Sequence, residues 1–435
     1  MNIKHLHEAP HLTTALTGPL HALESHLLDR QNAIETWFRR HWQTTEPPFY
    51  ASIDLRNAGF KVAPVDTNLF PAGFNNINPD FAPLCIQAIQ SALDKTCPDA
   101  ARVLILAEEH TRNLNYLDSV ATLQELLILS GYDTRIATTN PEITSPGDFA
   151  LPSGNSITLY PAQRKGDRLI AEDFDPCVLL LNNDLSSGLP EILHAIKQTV
   201  TPPPALGWNS RLKSGHFEVY RQLAIEFSQL VDIDPWFIDP AFRNCGKIDF
   251  MARKGSDCLA DNVGKLLGDI EKKYKQHQID AEPYVVIKAD AGTYGMGVMT
   301  VRSPEDIYEL NRKQRTRMSQ SKGGNAIGKV ILQEGVPTYE TWGDPPAVAE
   351  PVVYLIDRFV VGGFYRVHTK RGADENLNAP GMHFEPLAFE EPCNTPVSQL
   401  APDAAPNRFY TYGVIARLAT LAAAHEIKTV KGESA

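Results

Sequence analysis

The 435-residue sequence lacks the features of several protein classes. No apolar run approaches the about 20 residues that a membrane-spanning helix needs, and the opening MNIKHLHEAP has neither the basic start nor the apolar core of a signal peptide. The six cysteines lie far apart and form no Cys-x-x-Cys pair, which is typical of free thiols in a reducing compartment. A formal net charge of -11 argues against a general nucleic-acid binder. These absences predict a cytoplasmic protein that binds neither membrane nor nucleic acid.

Two common nucleotide-binding motifs are also missing, since the chain has no GxxxxGK[ST] and no G-x-G-x-x-G opening of a dinucleotide fold. Residues 284–301, YVVIKADAGTYGMGVMTV, instead predict two strands around a glycine-rich turn. Gly292, Gly295 and Gly297 allow the backbone N–H groups to approach phosphate oxygens. Lys288 closes the first strand, where its ammonium is a candidate clamp for a nucleotide triphosphate. A β-hairpin with a flexible glycine loop remains the alternative.

The first half of the chain predicts a parallel sheet. Residues 102–138 follow a strand, helix, strand pattern, and CVLLLNND adds another apolar strand. Both strands run out into polar residues, and ligands gather at the carboxyl ends of parallel strands, so a small polar substrate is predicted there. Three arginines are candidates for holding an anion, with surface ion pairs or solvated loops as the alternative: Arg56, Arg112 and Arg211.

The second half presents an ordered series of elements. After the glycine turn, a helical pattern covers residues 304–317, and KVILQE predicts a strand that ends at Gln333 and Glu334. Residues 349–370 predict a hairpin that turns near Val361 and Gly362, followed by an asparagine-containing loop. A single amphipathic helix is predicted across residues 20–38, and a last helix across residues 408–426.

This order resembles the ATP-grasp superfamily, and the whole chain is similar to the proteobacterial glutamate-cysteine ligase family with an ATP-grasp fold. The similarity is carried by PVDTNLFPAGFNN, GWNSRLKSGHF, IKADAGTYGMGVM, LQEGVPTYE, EPVVYLID, GGFYRVH and NLNAPG. The resemblance implies an α/β (α+β) protein in which an N-terminal parallel-sheet domain precedes an ATP-grasp fold. The expected ranges are 1–235 for the substrate domain, 236–335 for the lid subdomain with the glycine loop, and 336–435 for the catalytic subdomain.

The resemblance also implies roles for individual residues. Lys288 would contact the ATP phosphates, with Lys247 as the second phosphate lysine and Lys254 as its alternative. The glycine loop from Gly292 through Gly295 to Gly297 would close over them. Arg366 would stabilise the transferring phosphoryl group, and Asn376 or Asn378 would bind metal or acyl phosphate. Adenine would be held by three sites on one strand and its extension: Gln333, Glu334 and the Val336 main chain.

The family usually places its magnesium ligands on two strands after the last helix, but here that helix leads directly to KTVKGESA. We therefore expect Mg²⁺ ligands elsewhere, among oxygen donors near the hairpin and the loop beyond it. The alternative is that phosphates and water hold the metal almost alone. The four candidate ligands are Glu350, Asp357, Asn376 and Asn378.

The implied activity is the ATP-dependent joining of the glutamate γ-carboxylate to cysteine through an acyl phosphate, the first step of glutathione synthesis. The cofactors would be ATP and Mg²⁺, and glutamate would be held by Arg56, Arg112 or Arg211. A ligase for another amino acid pair, or a non-catalytic nucleotide sensor, is the alternative. A nicotinamide-dependent dehydrogenase is weaker, because the glycine spacing differs and the loop joins two strands expected to be antiparallel.

Overall fold

The computed structural model describes residues 19–109, 112–292, 297–319, 327–386 and 409–432. Its helices are α1 Pro19–Asp29, α2 Gln31–Thr44, α3 Ala82–Thr96, α4 Leu114–Leu129, α5 Lys213–Val231, α6 Ser256–Gln276, α7 Arg312–Ser319 and α8 Phe409–Val430. Its strands are β1 Tyr50–Asn57, β2 Val62–Asn68, β3 Arg102–Ala107, β4 Asp133–Thr138, β5 Gly147–Ala150, β6 Ser156–Pro161, β7 Gln163–Lys165, β8 Arg168–Ile170, β9 Val178–Leu181, β10 Thr199–Thr201, β11 Phe242–Cys245, β12 Val285–Ala289, β13 Val298–Val301, β14 Val330–Glu334, β15 Thr341–Trp342, β16 Ala347–Ile356, β17 Phe359–His368 and β18 His383–Pro386.

The predicted parallel sheet is present, in the order β10-β9-β3-β4-β6-β5. All its neighbouring strands are parallel except β5 and β6. Its central strands β3 and β9 are apolar and buried nearly throughout, as expected for strands covered on both faces. The β3-α4-β4 unit confirms the strand, helix, strand pattern, and the mixed α/β class is confirmed with it.

A second sheet, which we call the terminal sheet, joins distant parts of the chain. Its order is β18-β17-β16-β1-β2, with β15 beside β16, and all its pairs are antiparallel. Strands β1 and β2 come from the predicted 1–235 range, whereas the others come from 336–435. Two of the three predicted ranges, 1–235 and 336–435, therefore share this sheet, and the use of the ranges as domain boundaries stays a prediction.

The hairpin in the terminal sheet corrects a prediction. It turns at residues 357–358 and not near Val361 and Gly362, because Asp357 adopts a left-handed φ of 55° directly after β16. Gly362 lies within β17 at a register shift opposite Tyr354. Its φ is 139°, and a Cβ there would lie 2.7 Å from a methyl carbon of Ile77. The glycine therefore marks a close approach of two segments and not a turn.

The glycine-rich stretch lies in a third sheet, which we call the glycine-loop sheet, with the antiparallel order β11-β14-β12-β13. Strands β12 and β13 confirm the two strands predicted around the turn. Helix α6 packs on this sheet through its apolar face, which includes Leu259, Val263, Leu266 and Ile270. The sheet and α6 therefore have their own core.

Three predicted helices differ in extent. The single helix expected at residues 20–38 is two helices that break at Arg30, and the 304–317 segment is a short 3-10 turn followed by α7. The last helix, α8, extends to Val430 and is buried along most of its length, where it packs on α5 and the terminal sheet. Among the described residues, no helix is both long and apolar enough to cross a membrane.

Candidate functional site

A cavity lies between the terminal sheet and the glycine-loop sheet, which supply most of its wall. Strands β1, β2, β16 and β17 line one side, and β12, β13 and β14 line the other. The loop after β17 and the first residue of α5 complete it. Ten of the residues predicted from the sequence lie in this lining: Arg56, Lys288, Gly292, Gln333, Glu334, Val336, Glu350, Arg366, Asn376 and Asn378.

Lys288 links the two sheets at the centre of the cavity. Its Nζ donates to the Val65 carbonyl at 2.9 Å and to the Gln333 Oε1 at 2.8 Å. Burial lowers the pKa of Lys288 to about 8, although the nearby Asp66 carboxylate acts in the opposite direction. An anion that enters the cavity would raise this pKa and hold the ammonium in its charged form.

Arg366 lies between two carboxylates on neighbouring strands. Its Nη1 donates to Asp54 at 3.0 Å and also to Glu350, whose other oxygen accepts from Arg56 at 2.9 Å. Burial alone would raise the pKa of Glu350, but the two guanidinium groups lower it below its usual value. Burial raises the pKa of Asp54 despite the charge of Arg366. Within the residues that the structure describes, the buried Nε of Arg366 has no hydrogen-bond partner, so this donor is available to a ligand.

A second lysine, Lys213, faces the same cavity from the first turn of α5. Its Nζ donates to Asp66 at 2.8 Å and lies 3.8 Å from the ring centre of Trp208. Burial would raise the pKa of Asp66, but Lys213 and Lys288 lower it. The backbone N–H and hydroxyl of Ser214 both donate to the Asp290 carboxylate at 2.8 Å, which ties the start of α5 to the end of β12. The ammonium groups of Lys213 and Lys288 therefore both lie near the Asp66 carboxylate.

The end of the cavity formed by β14 and the residues after it is lined by buried side chains. The Glu334 carboxylate accepts from Lys61 at 2.7 Å and from the Trp236 indole at 3.0 Å, and both charged groups are buried. Gln333 and Val336 line the same end, and the buried Gln333 Nε2 has no hydrogen-bond partner among the described residues. Because the Glu334 side chain is already bound, only the main chain near it and the Gln333 amide are available to a ligand.

A second cavity adjoins the first and shares part of its wall. Four side chains line both: Asp54, Asp66, Arg366 and Asn378. The remaining wall is rich in amides, with Asn68, Asn75, Asn76, Asn113 and Asn115. It includes the loop after β2, the start of α4 and residues at β18. Such a polar lining suits a small ligand with several hydrogen-bonding groups.

The three arginines predicted to hold an anionic substrate do not meet. Arg56 lines the first cavity, but its donors are taken by Glu350 and by two carbonyls of the 373–375 loop. Arg211 is buried and binds Glu426 with two donors, together with the Thr67 carbonyl. Arg112 is exposed before α4 and lines neither of these cavities.

Other predicted site residues lie elsewhere. Asp357 directly follows β16, where it accepts from Ser91 and pairs with Lys95, seven residues along the chain from Glu350. Seven residues of strand correspond to about 23 Å, so one metal ion cannot bind both side chains. Lys247 and Lys254 are exposed and outside the cavity lining.

The glycine loop is described only at its ends, and Gly295 lies outside the described residues. Gly297 has a φ of 66°, and a Cβ there would lie 2.6 Å from the Ile327 side chain. A side chain at this position would therefore be both strained and crowded.

The charged cavity residues that were not selected from the sequence include Asp54, Asp66 and Lys213. The signal for the two carboxylates was the excess of polar side chains in residues 49–76, more than a plain connector needs. Lys213 lies two residues after Arg211, which was a candidate for holding an anion. The neighbouring sequence does not show that Lys213 enters the cavity whereas Arg211 binds Glu426.

Comparison with known proteins gives a consistent result. The model of the glutamate-cysteine ligase family matches residues 24–427. A protein from Methylobacillus flagellatus KT, provisionally assigned as a gamma-glutamylcysteine synthetase, has a crystal structure that aligns with a TM-score of 0.89 at 58% identity, over 97% of this chain and 99% of that chain. A D-alanyl-alanine synthetase A from Vibrio cholerae aligns with a TM-score of 0.35 at 9% identity, over 72% and 79% of the two chains, a similarity too low to carry an argument. No curated protein sequence matches significantly.

Proposed function

Because the chain belongs to the glutamate-cysteine ligase family, we propose that its two adjoining cavities bind ATP and the amino acids of one ligation reaction. The chain is a ligase that joins L-glutamate to L-cysteine for glutathione synthesis and uses ATP. The observation that carries the assignment of the cavities is their common wall, because a phosphoryl group can pass from one ligand to another only where the two ligands meet. Asp54, Asp66, Arg366 and Asn378 lie at that junction.

The first cavity is assigned to the nucleotide, in an ATP-grasp arrangement. Lys288 and Lys213 would neutralise the phosphates, and the glycine turn that begins at Gly292 would cover them. Adenine would lie at the closed end, against Val336 and the Gln333 amide. This orientation directs the γ-phosphate toward the junction.

The reaction would proceed in two displacements. A γ-carboxylate oxygen of glutamate attacks the γ-phosphorus of ATP, and ADP leaves, which gives an acyl phosphate. The cysteine amine then attacks the acyl carbon, the phosphate leaves, and the amine loses a proton. Arg366 is positioned to stabilise the charge on the transferring group, because its buried Nε has no hydrogen-bond partner within the described part of the chain. The family resemblance implies that the glycine turn would exclude water.

We assign Mg²⁺ to the oxygen donors of the common wall. Carboxylate and amide oxygens are its preferred protein ligands, and Asp54, Asp66 and Asn378 offer both kinds there. Glu350 and Asn376 also line the first cavity, and Asn376 lies two residues before Asn378 in the chain. The described residues contain no group of three His, Cys, Asp or Glu that could hold a metal, so ATP phosphates would complete the shell. The ion would neutralise charge on those phosphates.

The magnesium assignment predicts the behaviour of an Asp66→Asn variant. We expect the Mg²⁺ concentration that half-saturates ATP binding, measured by calorimetry, to rise about tenfold or more. Glu375→Gln is the matched control, because Glu375 lines the same cavity but pairs with Arg371. An unchanged magnesium requirement in Asp66→Asn would remove this residue from the metal site.

The amide-rich cavity predicts where glutamate binds. Asn76 and Asn115 line it, and within the described part of the chain no hydrogen bond is recorded for either side chain. We expect Asn76→Ala and Asn115→Ala to raise the KM for glutamate by roughly tenfold, the effect of losing one or two hydrogen bonds, with little change in the KM for ATP. Asn155→Ala, in the exposed turn between β5 and β6, is the control. Equal effects on both KM values would contradict the assignment.

The ligase activity itself is tested by the dependence of ATP turnover on both amino acids. Purified protein with ATP and Mg²⁺ should release phosphate at the full rate only when glutamate and cysteine are both present, and mass spectrometry should detect γ-glutamylcysteine. A panel of other amino acids as acyl donor or amine tests the specificity. Phosphate release that is independent of either amino acid, without the dipeptide, would refute the proposed reaction.

A further inference from the structure

Two cysteines lie in contact at the edge of the glycine-loop sheet, away from the cavity lining. Cys245 is the last residue of β11 and Cys258 is the third residue of α6. Their sulfur atoms are 3.7 Å apart, with the Cys245 thiol donating to the Cys258 sulfur. The connecting segment 246–255 is mostly exposed. The two thiols are therefore held together by elements that already pack against each other.

The environments of the two sulfur atoms differ. Cys245 is only 4% exposed, and burial raises the pKa of its thiol to about 11. Cys258 is exposed, and its sulfur accepts a second contact, from the Asn262 amide at 3.5 Å. Its place in the first turn of α6 adds the positive end of the helix dipole, which favours an anion. Cys258 is thus the thiol that a reagent meets first, and Cys245 lies behind it.

We propose that Cys245 and Cys258 form a modification site at which low-molecular-weight disulfides convert the two thiols to an intramolecular disulfide. The Cys258 thiolate attacks one sulfur of the reagent and releases one thiol, which leaves a mixed disulfide on Cys258. The Cys245 thiol then loses its proton and attacks the Cys258 sulfur, which releases the second thiol. Two protein thiols are oxidised and one disulfide is reduced to two thiols.

The loop between the two cysteines accommodates the bridge. A disulfide requires a sulfur–sulfur distance of about 2.0 Å. The two sulfur atoms, which are 3.7 Å apart, must therefore move toward each other by less than the diameter of one atom. Exposed Gly246 and half-buried Gly255 flank the loop, and Gly255 has a φ of 83°, so the backbone at both ends has freedom that other residues lack. The proposal is independent of the ligase activity, since it rests on no residue of the cavities.

Oxidation with glutathione disulfide under native conditions tests the site. After alkylation of the remaining thiols, intact mass spectrometry should show loss of two hydrogen atoms without added glutathione. Trypsin can cut the exposed loop at Lys247, Arg253 and Lys254, so digestion should yield a peptide pair joined through Cys245 and Cys258. A reductant should restore the two thiols and release the two peptides.

Variants separate the two steps. Cys245→Ser should stop at the mixed disulfide on Cys258, with the mass of one bound glutathione, whereas Cys258→Ser should block both steps. Cys97→Ser and Cys177→Ser are matched controls, because these thiols are partly buried in another part of the fold and should leave the bridge unchanged. A wild-type protein that accumulates the mixed disulfide, stays unmodified, or forms its bridge through other cysteines would overturn the proposal.

Discussion

Replacement of Arg366 with methionine is expected to lower kcat for γ-glutamylcysteine formation by about 10²–10³-fold, the scale seen when one transition-state donor is removed. Arg366 lines both cavities, and among the described residues its buried Nε has no hydrogen-bond partner, so under the proposed reaction its guanidinium would lie where charge develops during phosphoryl transfer. The KM for ATP should change little, because Lys288 and Lys213 remain. Steady-state kinetics with all three substrates measures both quantities.

The same change removes the cation between Asp54 and Glu350, and an uncompensated buried charge costs about 3–5 kcal/mol. Stability must therefore be measured beside activity. Arg366→Lys keeps the charge but not the planar donors, so it should recover stability while it remains slow. Recovery of full activity in Arg366→Lys would show that only the charge matters. Wild-type kcat in a folded Arg366→Met protein would exclude the proposed catalytic role.

Replacement of Lys288 with alanine is expected to lower kcat/KM for ATP by about 10²-fold or more. Its ammonium joins the two sheets inside the cavity proposed to bind the nucleotide, and the substitution leaves the β12 backbone pairs intact. Lys265→Ala, on the exposed face of α6, is the control and should match the wild type. Lys247→Ala tests the second phosphate lysine implied by the family resemblance. A loss of kcat/KM for ATP in Lys247→Ala would require the exposed 246–255 loop to move onto the nucleotide.

A pH profile gives an independent measure of the Lys288 role. Because burial lowers the pKa of Lys288 to about 8, the free protein loses this charge as the pH rises above that value. kcat/KM for ATP reports the protonation state of the protein before ATP binds. It should fall as the pH rises above 8, with a slope that approaches a loss of about tenfold per pH unit. Lys288→Arg remains charged, so its profile should lack this alkaline limb. An identical limb in Lys288→Arg would assign it to another group.

The sequence predicts the site best where the evidence is local. The two strands around the glycine turn and the strand ending at Gln333 follow from short apolar runs, and the structure confirms those elements. Lys288 and Arg366 were chosen from their positions within such strands, together with the family resemblance. In each case a few neighbouring residues determine the strand conformation of the backbone, and this conformation determines the direction of the side chain.

The sequence predicts less where a side chain's partner is remote. Arg56 and Arg211 were candidates for substrate binding, but Glu350 and Glu426, 294 and 215 residues away, supply their partners. Asp54 and Asp66 could not be selected, because their place at the common wall depends on the pairing of β1 with β16 and β2. A single sequence shows that a charged residue is present but not which distant charge it meets.

The terminal sheet sets a time order for assembly on the ribosome. Asp54 on β1 pairs in register with Val352 on β16, so 352 − 54 = 298 further residues must be made before this pair can form. At synthesis rates of roughly 5–20 residues per second, β1 and β2 wait about 15–60 s for their neighbours. During that interval their edge is open and their apolar faces lack a partner, a state that favours aggregation or chaperone capture. The parallel sheet needs only residues up to 201 and can fold first. Nascent chains stalled before β16 should therefore protect β3 and β4 from hydrogen exchange while β1 still exchanges freely.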